Sequence, residues 1–328
     1  MSSNKVSVVI CTRNRADMIE MAIKSVLACT YENFDVHIMD QSTDTLTHEL
    51  VKRYQETDSR LIYHHLPKPG LSRSYNIGKD VTDGAYIACT DDDVIVPENW
   101  VSCIAERFDS DPEIGMIYGQ VCIPDALASI VEQGVVVPAL MWDKIELHHR
   151  RKGNYRTFGM GANSAVRRTA WDASGGYDEV MGVGAPLRGS QDSDFAYRIY
   201  HAGFSICLDP ANTVDHYGTR LPEQWPDTLL NYGFGDGAYY GKYARVGHIW
   251  ALKALAFKAL RFTMLNAAMC FGLKRTNGNI PYFKNIVTGW KKSKEYAVNP
   301  KTLLYIPKDS DKDVVNAANS VTRIPVKT

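Results

Sequence analysis

Ala85-Tyr86-Ile87-Ala88-Cys89-Thr90-Asp91-Asp92-Asp93-Val94 runs an apolar stretch into three successive carboxylates. The apolar part has the pattern of a buried strand closed by turn residues. Adjacent carboxylates repel one another, so packing alone does not gather them at a strand's end. A hard divalent ion, held by one or two carboxylates and completed by water and substrate phosphates, is the usual occupant of such a place. The competing account is a solvated acidic turn leading into the next helix, with Pro97 at its first helical position.

The surrounding chain gives the strand its context. Val6 to Cys11 is a largely β-branched run that Thr12-Arg13-Asn14 breaks, after which Ile19, Ala22, Ile23, Val26 and Leu27 share one helical face. Phe34 to Met39 is a second run, ending in Asp40-Gln41-Ser42-Thr43-Asp44 and followed by a short helix with Leu46, Leu50, Val51 and Tyr54 inward. Leu61 to His65 predicts a third strand and Leu71 to Val81 a third helix. Trp100, Ile104 and Phe108 mark a further helix, and Gly115 to Tyr118 a fifth strand. Strands alternating with helices predict an α/β fold with a mostly parallel, Rossmann-like sheet covered on both faces. Ligands of such sheets bind at the carboxyl ends of the strands. Cys11-Thr12-Arg13, Asp40 and Asp91 to Asp93 should therefore converge on one cleft.

Those groups have a joint chemical meaning. Asp40 can accept from a pyrimidine N–H or a ribose hydroxyl while the acidic triplet holds a metal against a diphosphate, which suits a nucleoside diphosphate. No G-x-G-x-x-G follows the first strand and no G-x-x-x-x-G-K-[ST] occurs, so neither a dinucleotide site nor a P-loop is supported.

Composition narrows the class further. Of 328 residues 45% are hydrophobic and 23% charged, as in an ordinary globular protein. Lys plus Arg equals Asp plus Glu at 37 each, so no global field argues for nucleic acid. Seven cysteines, at 11, 29, 89, 103, 122, 207 and 270, form no C-x-x-C pair and read as reduced thiols of a cytoplasmic protein. The N-terminus enters a strand with no room for a signal peptide, and no run reaches the ~18 apolar residues of a membrane span.

With these residues in place, a family resemblance can be stated. Val8-Val9-Ile10-Cys11-Thr12-Arg13-Asn14-Arg15, the Asp40 turn, Gly70-Leu71-Ser72-Arg73-Ser74-Tyr75-Asn76-Ile77-Gly78 and Asp91-Asp92-Asp93 resemble, in order and spacing, the motifs of family 2 glycosyltransferases of GT-A fold. Gly161 to Arg168, Gly175-Gly176-Tyr177-Asp178-Glu179 and Gln191-Asp192-Ser193-Asp194-Phe195, with Arg198 and Gly203, resemble that family's acceptor half. The resemblance covers roughly residues 5 to 220. It implies inverting transfer of a sugar from a nucleotide diphosphate donor to an acceptor hydroxyl, assisted by Mn2+ or Mg2+. A donor-binding half over 1–120, an acceptor half over 121–222 and a helical extension with a tail over 223–328 are expected.

Roles follow from the same likeness. Thr12, Arg13, Asp40, Arg73 and Asp91 are expected at the nucleotide sugar and Asp93 at the metal, with Asp92 serving either. Asp192 is expected as general base. Ser190 can cap the helix that Asp192 begins, Phe195, Ala196 and Ile199 share its inward face, and the helix dipole keeps a first-turn carboxylate ionised. Asp194 should point elsewhere and is the fallback. His216, in Val214-Asp215-His216-Tyr217-Gly218, resembles a histidine that completes the metal shell or touches the diphosphate, although a lone histidine is more often structural. The chain departs from the pattern at Cys11, where proline is frequent, at Gln191, where glutamate is usual, and at the Asp40 turn, shorter by one residue.

Two regions lie outside these motifs. Residues 121–157 break the strand and helix rhythm and read as an insertion flanking the cleft. Trp142 could stack on a sugar but is expected in the core, and His148-His149-Arg150-Arg151-Lys152 faces either an anionic acceptor or solvent. Ile249 to Leu273 predicts a helix too charged to span a bilayer. It either packs on the catalytic domain or another subunit, or, with Lys274, Arg275, Lys284, Lys291 and Lys292, makes residues 249–292 a peripheral contact with the cytoplasmic membrane face. From about Lys308 onward a polar tail is expected. The resemblance implies a UDP- or dTDP-sugar donor and a glycan or lipid-linked acceptor; the alternative is a non-catalytic nucleotide-sugar or glycan binder. A pure binder has no need of Asp192 across the cleft from Asp91 and Asp93.

Overall fold

The computed structural model describes residues 4–152, 155, 158–270, 279–308 and 322–323. The chain begins as expected: β1 (Val6–Thr12), α1 (Ala16–Leu27), β2 (Phe34–Asp40), α2 (Leu46–Gln55), β3 (Leu61–His65), α3 (Leu71–Val81) and β4 (Tyr86–Asp91). A two-residue β5 (Val94–Ile95) follows directly, then α4 (Trp100–Ser110) and β6 (Ile114–Cys122). The insertion carries the short α5 (Ala128–Glu132) and β7 (Glu146–His148). The second half continues with β8 (Asn163–Arg167), α6 (Arg168–Ser174), α7 (Gln191–His201) and β9 (Ser205–His216). Three helices then form the extension, α8 (Trp225–Arg245), α9 (Ile249–Cys270) and α10 (Asn279–Ser293), followed by the hairpin β10 (Ala297–Val298) and β11 (Tyr305–Ile306).

The sheet runs in the order β3-β2-β1-β4-β8-β6-β9-β5, with β7 also on β9 and Thr322–Arg323 on β3. β1 lies parallel to β2 and β4, while β8 inserts antiparallel between β4 and β6, and β6 is parallel to β9. Side-chain alternation divides the core between the two faces. Val8 and Ile10 pack with Ile19, Ile23, Trp100 and Ile104 on one side. Val9 and Cys89 pack with Tyr75, Phe195 and Tyr239 on the other. The architecture is the expected α/β sheet with helices on both faces and a helical C-terminal part.

Several local expectations are corrected. Leu46 is exposed and Thr47 takes the inward place on α2, because Leu46 opens that helix where no neighbour covers it. Pro97 precedes α4, which starts at Trp100 after Asn99. The basic group at 148–152 is fastened at the sheet edge. His148 is buried on β7, Arg150 donates to the His201 carbonyl, and His149 and Arg151 approach Glu113. That arrangement sets the group against His201 of α7 and Glu113, with Arg151 and Lys152 exposed to solvent. Trp142 is partly buried against the core. The tail expected beyond Lys308 and residues 271–273 of the long helix fall largely outside the described residues.

Close helix packing holds the extension together, and buried charge ties it to the sheet domain. A Cβ on Gly237 would run into the Ile286 carbonyl, and one on Gly289 into that of Phe234, so α8 and α10 meet backbone to backbone where only glycine fits. Lys242 on α8 is completely buried and bridges Asp178 (2.6 Å) and Asp194 (2.7 Å). Among the described residues no helix is long and apolar enough to cross a membrane.

Candidate functional site

Strand register assembles the acidic corner. Thr12 on β1 pairs with Asp40 on β2, and Cys11 with Asp91 on β4, so the carboxyl ends of adjacent parallel strands place these residues side by side. The short β5 then pairs antiparallel with the far end of β9, matching Val94 with His216. This pairing carries His216, more than a hundred residues away in sequence, to the acidic triplet. Ligand atoms of Asp91, Asp93 and His216 all lie within 4.8 Å of one another. The His216 Nε2 is 3.4 Å from Asp93 Oδ1, and Gly218 presses so closely that an added Cβ would lie 2.6 Å from Asp93 Oδ2.

The three carboxylates sit in different fields. Asp92 accepts from Thr12 Oγ1 at 2.7 Å and from the Arg15 guanidinium at 2.6 Å, yet burial raises its pKa to about 7. Burial and the charge of Asp93 push Asp91 up to about 6. Burial also acts on Asp93, but His216 and Arg15 outweigh it and hold this carboxyl near 2. His216 is raised, because its hydrogen bond and charge attraction to Asp93 exceed the cost of burial. Apart from the long 3.4 Å approach of His216 Nε2, Asp93 Oδ1 is buried without a hydrogen-bond partner, as is His216 Nδ1. Two carboxylates and an imidazole with unpartnered buried acceptor atoms form a donor set that fits Mn2+ or Mg2+.

Arg15 is the site residue that sequence reasoning passed over. It bridges Asp92 and Asp93 (2.7 Å to the latter), whereas Arg13, expected here, is exposed. The signal was conformational. Asn14 adopts φ 54°, which asparagine tolerates, and its side chain accepts from the Thr43 N–H. That left-handed step turns the second arginine inward.

Asp40 and Arg73 take contrasting places. Asp40 is fully buried, accepting from the Ser42 N–H and the Tyr63 hydroxyl, each at 2.8 Å. Both of its oxygens therefore brace the turn. Arg73 on α3 is also buried, but its Nε and one terminal nitrogen have no partner. A guanidinium enclosed with unused donors is prepared for an anion.

Asp192 shares a cavity with the acidic corner. It and Asp91 line a single cavity of ≈ 840 Å³, together with Gly159 to Ala162 and residues of α8. Burial raises Asp192 to about 6, partly offset by the nearby Tyr177 hydroxyl. Gln191 Nε2 donates to Asp192 Oδ2 at 3.2 Å, so the residue replacing the usual glutamate still touches this carboxylate. A Cβ on Gly161 would sit 2.8 Å from Asp192 Oδ1, so the glycine lets the loop before β8 close on the side chain.

Of the expectations about α7, the Ser190 cap and the fallback role of Asp194 both fail, although Asp194 points elsewhere as expected. Ser190 does not cap it: the residue is left-handed at φ 57° and its Oγ donates to Asp236 at 2.9 Å. Asp194 points away from the cavity and cannot replace Asp192, because Arg198, Lys242 and Tyr243 enclose it at 2.9, 2.7 and 2.8 Å. The helix is buried on both sides, since the extension covers the face that periodicity left polar.

Known proteins with related sequence and fold can be set beside this geometry. The profile described as Glycosyl transferase family 2 matches residues 7–173. The chain is 25% identical to the glucosyl-dolichyl phosphate glucuronosyltransferase of Haloferax volcanii over 65% of its own length and 69% of that protein. It is 28% identical to glycosyltransferase GlyG of Streptococcus pneumoniae over 35% of its length and 40% of that protein. In fold it is similar to the mannosyltransferase PcManGT of Pyrobaculum calidifontis, solved with GDP-Man and Mn2+. The TM-score is 0.58 at 17% identity, over 89% of this chain and 86% of that one. It is also similar to S. aureus TarS 1-349 in complex with UDP-GlcNAc, with a TM-score of 0.57 at 15% identity over 88% and 81%. With half its length matched by the family profile and its cleft built at the strand ends, the chain belongs to glycosyl transferase family 2 and has the GT-A fold.

Proposed function

We propose that this protein transfers a sugar, with inversion, from a nucleotide diphosphate donor to a hydroxyl of a glycan or lipid-linked acceptor. The observation that carries this reading is the placement of Asp91, one of three clustered ligand groups, and Asp192 on the same cavity. Inversion is one in-line displacement, so the groups that receive the departing diphosphate and the group that deprotonates the acceptor must stand on opposite sides.

Asp91, Asp93 and His216 would hold the divalent ion, which supplies Lewis-acid stabilisation of charge on the diphosphate. Arg15 binds the outer oxygens of Asp92 and Asp93 and keeps the acidic corner compact when two like charges adjoin. Arg73 offers its unused donors to the nucleotide's phosphates. Asp192 takes the acceptor proton. With its pKa near 6 it is largely ionised at neutral pH yet more basic than an ordinary aspartate, which suits a general base. Gln191 and Gly161 fix its orientation. The boundaries at 120 and 222 are functional divisions within one body, since β8 lies between β4 and β6 in the same sheet.

Contact of residues 249–292 with an anionic membrane surface belongs to the same proposal. It is supported by the exposed Leu252, Phe257, Leu260 and Met264 of α9, with Lys253 and Arg261 among them.

The test is a thermal-shift titration with UDP, dTDP and GDP, each with and without Mn2+, beside Asp93→Ala. A ligand that binds only the native state raises the melting temperature with concentration. One nucleotide is expected to stabilise the protein only with Mn2+, and Asp93→Ala to abolish the effect. Stabilisation by no nucleotide would overturn the donor site.

A further inference from the structure

Part of the cavity wall is built by α8, which lies beyond the segment matched by the family profile. Thr228, Asn231, Tyr232 and Asp236 line it, at i, i+3, i+4 and i+8 of one helical face. Glycines make that face a wall. A Cβ on Gly235 would stand 2.7 Å from the Gly189 backbone, so α8 lies directly on the loop that leads to Asp192. Asp236 ties the arrangement together, accepting from Ser190 of that loop, from Lys258 of α9 at 2.8 Å and from Tyr282 of α10.

Three side chains of this region have unused recognition capacity. Tyr232 is 48% exposed although it lines the cavity, and partial burial of the ring raises its pKa, with smaller effects from the charges of Arg220, Asp192 and Asp91. Its ring is an open platform beside the general base. Asn231 adds an amide with both donor and acceptor character. Arg188 is held at φ 49°, a conformation that costs a non-glycine residue free energy, and its guanidinium stacks 5.2 Å over the Phe234 ring. It is paired with no carboxylate among the described residues. Asp236 on the same wall is already satisfied by Lys258.

We propose that this wall is the acceptor subsite, and that it takes a sugar residue bearing an anionic group. Tyr232 stacks on the sugar ring, Asn231 hydrogen-bonds its hydroxyls, and Arg188 holds the carboxylate or phosphate. The assignment rests on the donor site described above, because it places the acceptor hydroxyl at Asp192 by occupying the space that the nucleotide sugar leaves. It also explains why the extension is packed so closely on the loop before α7.

The experiment uses the full chain with Mn2+ and whichever of UDP, dTDP and GDP stabilises it. Binding of methyl β-D-glucuronide, glucose 6-phosphate and the neutral methyl β-D-glucoside is followed by saturation-transfer NMR. At least one anionic sugar is expected to bind more tightly than the neutral one, and the two anionic arms distinguish carboxylate from phosphate. Tyr232→Ala should weaken that binding about 2- to 10-fold, Tyr232→Phe should retain the stacking, and Arg188→Gln should erase the preference for the anionic sugar. Equal binding of all three sugars, or an unchanged preference in Arg188→Gln, would overturn the proposal. Binding of nucleotide without any of the sugars would overturn it while leaving the donor site intact. Failure of the nucleotide itself would remove the donor reading and this subsite with it.

Discussion

Lys242→Met tests whether the helical extension holds α7, the helix that carries Asp192, in place. In the native protein Lys242 and Arg198 balance Asp178 and Asp194 within one buried group. Replacing the lysine leaves one uncompensated negative charge. Removing one partner of a buried pair costs about 3–5 kcal/mol. Here Asp194 keeps Arg198 and Tyr243, and Asp178 keeps the Tyr305 N–H at 2.8 Å, so the lower end, about 3 kcal/mol, is expected. The assay is urea unfolding of wild type, Lys242→Met, Asp194→Asn and the double variant. Charge balance gives the distinctive outcome: Lys242→Met combined with Asp194→Asn restores neutrality and should be more stable than Lys242→Met alone. Because Asp194 follows Asp192 by two positions, Lys242→Met should also lower kcat with little effect on the donor KM. A loss below about 1 kcal/mol, or a double variant as unstable as the sum of the two single ones, would refute the reasoning.

Two further outcomes are expected. The acceptor-transfer rate should rise with pH through about 6 as Asp192 ionises and level off above it. Its folded pKa lies above the unfolded value, so ionised Asp192 costs stability at high pH and nothing below both values. Asp192→Asn should therefore abolish transfer and raise the melting temperature more at pH 8 than at pH 5; equal shifts would contradict the burial argument. In flotation with vesicles containing anionic lipid, the wild type should co-migrate and Phe257→Asp combined with Leu260→Asp should remain in solution. Equal recovery of both proteins in the lipid fraction would exclude α9 as the contact.

Alternation of apolar runs with amphipathic helices was enough to predict the sheet, and the run ending in Asp91-Asp92-Asp93 to locate its ligand edge, because strand and helix periods are local properties of the chain. The roles within the site were less local. His216 joined Asp91 and Asp93 only through the β5 and β9 register, and a two-residue strand leaves almost no trace in sequence. Arg15 rather than Arg13 turned inward through the left-handed Asn14. Asp192 and Asp194 are both first-turn carboxylates of α7. What separates Asp192, which lines the cavity, from Asp194, a buried ion-pair partner, is the position of Lys242 on a helix that begins over thirty residues later. Glycines 233, 235 and 237 read as weak points of a helix, yet they are where it meets other backbones. The sequence by itself determined the order of elements and the chemistry gathered at their ends. Tertiary structure decided which charges face each other, because pairing across a sheet and burial beneath a distant helix depend on contacts that no local pattern encodes.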